Sequence, residues 1–360
     1  MAFSAGEITN IANAALDFYL NKGDTFKNAI QARPLLATLE AKAKSFPGGK
    51  GNISLAVKGA FGAGGVNDSV TGYTHNDTVA FYTPANIQRI NYAWKEMHIG
   101  LTLTHTELKI DGISVTDDAG NGNQTSEHEG REMTALVNLL ADKLEDFGQQ
   151  YSITMNRLLW GDGTADAKAL AGIRSIIVDA PTLGTLGGLT RTTNTWWRNR
   201  AATAANAAAG GQGAIASSSA GGGVLLTFLQ NEFRQLIRFG SKPDTWLCGS
   251  AFINALESET RGNGYYSQTG FTGPRDGSVG EFTFKGMKVQ YDPTLDDLGY
   301  AKRCYIYDSR QMYLMKMDGE WKHTFTPARP ATQFVMYKSM TNTGQLVAQQ
   351  VNGCAVYDVA

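Results

Sequence analysis

A chain of 360 residues with 42% hydrophobic and 18% charged side chains has enough apolar surface to build a core, which excludes wholesale disorder. Its 32 Lys and Arg against 33 Asp and Glu leave a net charge of −1, so no general field draws it to nucleic acid or anionic lipid, and DNA binding as the main task is disfavoured. Cys248, Cys304 and Cys354 stand far apart without CxxC or Cys/His ligand spacing and read as reduced, packed thiols of a cytoplasmic protein. The opening MAFSAGEITN has no cationic segment ahead of an apolar run, and no stretch of eighteen apolar residues occurs. Neither an export signal nor a membrane span is expected.

From Gly6 to Leu20, Ile8, Ile11, Ala12, Ala15, Leu16 and Tyr19 recur at steps of three and four, the mark of an amphipathic helix. An arm with little core of its own follows, in which Pro34 precedes Leu35, Leu36 and Leu39 and Ser45–Gly49 breaks any helix. Ile53, Leu55 and Val57 then alternate with small or polar neighbours as a half-buried strand does. That strand runs into residues 59–72, where five glycines in fourteen positions predict an exposed, flexible tip. The return limb places apolar residues at Ile90, Tyr92 and Trp94 and then at Met97, Ile99, Leu101 and Leu103, a change of phase that a bulge or bend near Lys95 explains. Residues 48–105 therefore predict a long two-stranded ribbon. Two strands cannot bury both faces alone, so Ile53, Leu55, Phe61, Tyr92 and Trp94 are expected to lie against another copy of the chain.

Ser126 and Glu129 have capping-box spacing, and behind them Met133, Val137, Leu140, Leu144, Phe147, Tyr151, Met155 and Leu158 share one face. The pattern predicts a helix of roughly 50 Å that Gly161-Asp162-Gly163 ends. Ile173, Ile176, Ile177 and Val178 ahead of Pro181 read as a short core piece. In the run Trp196-Trp197-Arg198-Asn199-Arg200 the indoles and cations suit base stacking and phosphate contact, yet Trp and Arg are also the residues of packing and subunit contact. Trp196, Trp197 and Arg198 are assigned to the latter. Of residues 201–223, 19 of 23 are Ala, Gly or Ser, a composition with almost nothing to bury that reads as a linker.

A second unit of mixed α+β type begins at Val224 and runs to about 322. Leu225, Phe228, Leu229, Phe233, Leu236 and Ile237 are at helical spacing, Thr245–Cys248 reads as a strand, and Ser250 opens another helix. Lys288–Tyr291, Cys304–Tyr307 and Met312–Met317 follow as further strands. The tail, 333–360, alternates around Thr341-Asn342-Thr343-Gly344 as a hairpin does. It is expected to pair near the long helix, making that helix's domain discontinuous.

A search for chemistry returns decoys. Gly48-Gly49-Lys50 lacks the spacing and the hydroxyl of a P-loop. Asp117–Asn123 resembles a calcium loop, but Ala119 and His128 occupy ligand places. His75, His98, His105, His128 and His323 include no HExxH and no i, i+4 pair, and no GxSxG occurs, so no catalytic, cofactor or metal residue is assigned. What remains is shape: an arm, a ribbon, one very long helix, an inserted unit and a tail, which is the signature of an assembly subunit.

Several strings in this order also resemble the major capsid proteins of tailed double-stranded-DNA bacteriophages, which share the Hong Kong ninety-seven type fold with encapsulins. They are RLLWGDG (157–163) leading to Leu170–Arg174, TNTWWRN (193–199), GSKPDTWLCGSAFINALES (240–258), FKGMKVQYDPTL (284–295) and CYIYDSRQMYLMKM (304–317). The resemblance covers essentially the whole chain. It implies an α+β capsid fold with an N-arm at 1–47, an extended loop (the β-ribbon) at 48–105, and a spine helix at 126–160. The peripheral domain would comprise 106–200 and 323–360, joined by the linker 201–223 to an axial domain at 224–322.

By the same resemblance the chain is expected to be a structural protein, not an enzyme, and to need no cofactor. It would self-assemble as hexamers and pentamers into an icosahedral shell around packaged double-stranded DNA, in the bacterial host cytoplasm, and reside in the virion. With no helical pro-segment before the arm, a separate scaffolding protein is implied, beside a portal protein and a decoration protein, and no membrane. Some relatives join a lysine of the extended loop covalently to an asparagine; Lys58 sits at such a place, but no partner Asn or acid matches, and cross-linking is not expected. An encapsulin-like compartment is the nearest alternative, and a hydrolase or metalloenzyme with a site assembled from distant residues is the remote one.

Overall fold

The computed structural model describes residues 3–4, 33–59, 72–78, 87–110, 115–116, 130–217, 223–262, 283–325 and 335–360. The helix expected over Gly6–Leu20, most of the glycine-rich tip with Phe61, and the Ser126/Glu129 capping box lie outside the described residues. Helix α1, Pro34–Ala41, has proline in its first turn, where the missing N–H costs nothing. Its Leu35, Leu36 and Leu39 are fully buried, so this stretch is part of the chain's own core, against the expectation of an arm without one. Strand β1 (Lys44–Phe46) follows it.

Strands β2 (Asn52–Lys58) and β3 (Ile87–Ala93) pair antiparallel, Asn52 opposite Ala93 and Lys58 opposite Ile87. The chain breaks at Trp94 before β4 (Lys95–Thr104), which is where the apolar phase changes. A short helix, α2 (His105–Ile110), precedes the long helix α3, Gly130–Trp160, of 31 residues. Leu144, Phe147, Tyr151, Met155 and Leu159 are buried along it, the period of an amphipathic rod.

The segment expected to be a linker is built into a sheet. Arg200–Ala202 (β5) pairs parallel with the last strand of the chain, Thr203 caps a short helix, Ala204–Ala208, by accepting from Asn206 N, and Ile215 is buried where it bridges to Val359. Alanine's small side chain suits such close packing. Helices α4 (Val224–Ile237) and α5 (Ser250–Gly262) flank strands β6 (Thr245–Cys248), β7 (Thr283–Phe284) and β8 (Met287–Tyr291), followed by helix α6 (Pro293–Asp297) and strand β9 (Arg303–Tyr307).

Two long strands, β10 (Met312–Phe325) and β11 (Val335–Ala348), precede the final strand β12 (Ala355–Asp358). Met312–Met317, read as a strand of the inserted unit, instead opens β10 in a four-stranded sheet of order β1-β10-β11-β4. The tail is not a hairpin either: Thr341–Gly344 runs straight through the middle of β11, which pairs with β10 on one side and β4 on the other. Turn-type residues serve there because β10 is irregular between Lys316 and Trp321. Asn342 Oδ1 accepts from Lys322 N at 2.9 Å, and a Cβ on Gly344 would stand 2.5 Å from Met315 O, too close for any other residue.

The six-stranded sheet has the order β7-β8-β6-β9-β12-β5. Here the expected division is redrawn, since β12, assigned with 323–360 to the peripheral domain, pairs antiparallel with β9. The two faces of this sheet serve two cores. Leu247, Tyr305, Tyr307 and Val356 turn toward the core that holds the long helix and β11. Trp246, Cys248, Cys304, Ile306 and Tyr357 turn toward the core under α4 and α5. Strands buried on both faces read as apolar runs without alternation, as Trp246–Cys248 and Cys304–Tyr307 do.

Candidate functional site

Most of the residues singled out from the sequence meet at the root of the ribbon. Along β2 and β3, Ile53, Val57, Ile90 and Tyr92 are 5%, 4%, 0% and 7% exposed, and Leu55 and Trp94 pack half-buried against the same core. These side chains were expected to lie on another copy; their burial is intramolecular. The second face comes from the same chain. Tyr92 Oη donates to Ala348 O at 3.1 Å, Asn91 N donates to Gly187 O at 3.0 Å, and Trp94 Nε1 donates to Lys50 O at 2.8 Å. The opposite face, with Asn52, Ser54, Lys58, Arg89 and Asn91, is exposed, and Ile87 there is 63% exposed.

Trp196, Trp197 and Arg198 divide the support of that root. Trp197 is buried and donates its Nε1–H to Leu186 O at 3.1 Å. Arg198 ties its own loop, donating from Nε to Arg191 O at 2.6 Å and from Nη2 to Thr192 O at 2.7 Å. Trp196 is half-buried under the ribbon: Gly59 lies flat on its indole, where a Cβ would fall 2.2 Å from the ring. Only glycine fits there.

Five polar anchors hold the elements together, and sequence reasoning passed over all of them. Asn156, on the buried face of α3, accepts from Leu36 N at 3.1 Å and donates to Thr294 Oγ1 at 2.7 Å, so one amide joins three elements. Asp292, fully buried, accepts from Trp160 Nε1 and Thr294 N, each at 2.9 Å. Ser152 and Asn156 interrupting an apolar stripe, and Asp-Pro opening α6, are the signals that betray them.

Arg191 is 1% exposed and donates to Asn199 Oδ1 at 2.8 Å and Ile176 O at 2.6 Å; burial pulls its guanidinium down to about 10. Arg303 forks onto Asp358 at 2.6 and 2.9 Å and reaches Asp179 at 2.9 Å. Burial works against its charge, yet the Asp358 hydrogen bonds, Tyr305 and Asp179 outweigh it and hold the guanidinium charged well above its ordinary range. The buried carboxylate of Glu259 accepts from Leu225 N at 3.0 Å and Leu226 N at 2.7 Å, capping α4 where Gly223 has no side chain to do so.

Among the described residues no group of three or more His, Cys, Asp or Glu could hold a metal ion, and no described helix is long and apolar enough to cross a membrane. The polar groups here hold elements together. Compared with solved structures, the α+β architecture is of the class found in phage capsids. It is similar to a chain of the cyanophage A-1(L) capsid asymmetric unit, with a TM-score of 0.59 at 15% identity over 91% of this chain and 92% of that one. A chain of Microbacterium phage Oxtober96 is similar at a TM-score of 0.50 and 11% identity, over 89% of this chain and 90% of that one. At these identities the likeness is one of fold. No protein-family model and no curated protein matches the sequence.

Proposed function

We propose that the chain is the major capsid protein of a tailed phage, a structural subunit that assembles with copies of itself into an icosahedral head. The observation that carries this reading is the fold likeness to the cyanophage capsid chain over nine-tenths of both chains. The sequence strings that resemble the same family, spread from residue 157 to 317, support it independently. In this reading residues 1–47 are the N-arm, 48–105 the extended loop and 126–160 the spine helix. The peripheral domain keeps 106–199 and β11 and gains the first part of β10, Met312–Lys322; the axial domain keeps 224–311 and takes β5 and β12.

Hexamers and pentamers are the assembly units, formed in the host cytoplasm with a scaffolding protein, a portal protein and a decoration protein as partners. Packaged double-stranded DNA is contacted weakly and without sequence preference, since a net charge of −1 offers few phosphate contacts and leaves the cargo releasable. The chain performs no catalysis in this role. Electron microscopy of the purified protein, alone and after co-expression with its neighbouring head genes, tests the reading. Rings or closed shells are expected, and DNA inside mature particles separates a phage head from a protein-filled compartment. Lone molecules under every condition would sink it.

A further inference from the structure

Two clefts of about 520 and 540 Å³ lie beside the ribbon root and share Thr195, Trp196, Phe239 and Asn352 in their walls. They form one trough between the ribbon at Ala56–Gly59, the C-terminal end of α4 and the turn at Gln349–Asn352. Its charged lining is Lys58, Arg198, Arg200 and Arg238, without an Asp or Glu. Arg200 is neutralised by Glu232, on which it forks at 2.6 and 2.7 Å. The other three have no carboxylate partner among the described residues: Arg198 is held by two carbonyls, Arg238 lies 5.6 Å from the Phe239 ring centre, and Lys58 is exposed. Phe239 itself is 59% exposed.

We propose that this trough docks an acidic, extended polypeptide segment of a partner protein. Three cations without carboxylates select an anionic ligand, and steer it toward the trough at low salt. At its walls Gln350 donates from Nε2 to Phe239 O at 3.2 Å and to Asn352 Oδ1 at 2.9 Å. That leaves the Gln350 carbonyl as an acceptor and the Asn352 amide N–H groups as donors beside the exposed Gln235, a mixed set that a peptide backbone matches and a phosphodiester chain, which only accepts, does not. Trp196 and Phe239 supply an aromatic floor for an apolar side chain set between the acids, the kind of anchor that dominates peptide interfaces. Each cleft is of the size that holds a few residues.

Fluorescence anisotropy with the full chain tests it, using three fluorescein-labelled probes. These are an acidic decapeptide of Asp, Glu, Leu and Ser, its counterpart with Lys for every acid, and a decamer of deoxythymidine. Binding of the acidic peptide alone is expected, weakened by about tenfold in Arg238→Glu and several-fold in Lys58→Glu, and largely kept in Arg238→Lys. Both positions are exposed, so thermal unfolding should not move. No binding of the acidic peptide, equal binding by the parent and Arg238→Glu, or tighter binding of the oligonucleotide overturns the proposal. None of these outcomes depends on whether shells form.

Discussion

Trp160, the last residue of the long helix, donates its indole N–H to Asp292 Oδ2 across 2.9 Å, and the same carboxylate caps helix α6 by accepting from Thr294 N. One buried acid thus ends one helix and begins another. Asp292→Ala removes the cap and leaves the indole N–H unpaired, at an expected cost of about 2–4 kcal/mol. Asp292→Asn, which keeps an acceptor oxygen, should cost about half as much. Urea midpoints check both, and an alanine variant as stable as the parent would remove the anchor from the account.

Gly59→Ala places a methyl inside the Trp196 indole, so either the ribbon root lifts or the indole turns. About 1–3 kcal/mol of destabilisation is expected. Unchanged thermal unfolding together with unchanged indole emission would show that the contact is looser than its geometry.

Arg303 sits between Asp358 and Asp179 with its side chain 9% exposed. Arg303→Met leaves both carboxylates without their cation and is expected to cost about 3–5 kcal/mol. Arg303→Lys restores the charge and loses the fork, so its urea midpoint should fall between those of the parent and the methionine variant; a lysine variant matching the parent would make the fork irrelevant.

Glu107 accepts from Lys143 Nζ at 2.9 Å and from Thr104 N at 3.2 Å, and these bonds hold its carboxyl below the ordinary value of 4.5. A depressed carboxyl stabilises the folded state fully above that ordinary value and loses its contribution as pH falls through the folded one. The pair is about one-third exposed, 38% and 32% for the two side chains, so the effect is small and weakened by salt. Glu107→Gln should flatten the acid limb of stability as pH falls below the ordinary carboxyl value of 4.5 and leave neutral stability nearly unchanged. An unaltered acid limb would count against the pair.

All three cysteines are buried, and burial pushes the Cys354 thiol up to about 12. Cys248 is raised as well, by burial and then by Cys304 opposite it in the sheet. An aromatic disulfide reagent should find no reactive thiol in the folded chain and three per chain in guanidinium. Rapid labelling of the native protein would contradict the packing.

Elements governed by local pattern were legible. The period along Leu144–Leu159 and the alternation of β2 and β3 follow from one buried face each, and the slip of phase near Lys95 marks the break at Trp94. What was not legible depends on which strand becomes whose neighbour. Thr341–Gly344 has the residues of a turn, but Asn342 spends its amide on the irregular stretch of β10 and Gly344 makes room for Met315 O. Residues 201–217 are compositionally a linker, and their small side chains let β5 dock beside β12. The ribbon residues Ile53 and Tyr92 were rightly read as buried and wrongly given to a neighbour, because residues 185–197 and Ala348, far along the chain, cover them.

The six-stranded sheet, wetted on neither side in its middle strands, also fixes how the molecule comes apart. Melting the core under α4 and α5 would strip one side of β6, β9 and β12 and expose Trp246 and Tyr357 to water, while their neighbours Leu247 and Val356 still belong to the other core. Neither half then has a stable intermediate in which to wait. Heat should take the described parts of the chain through a single calorimetric transition, and a protease fragment starting at Val224 and lacking β12 should not survive alone, since its sheet would end at an uncovered β9 edge.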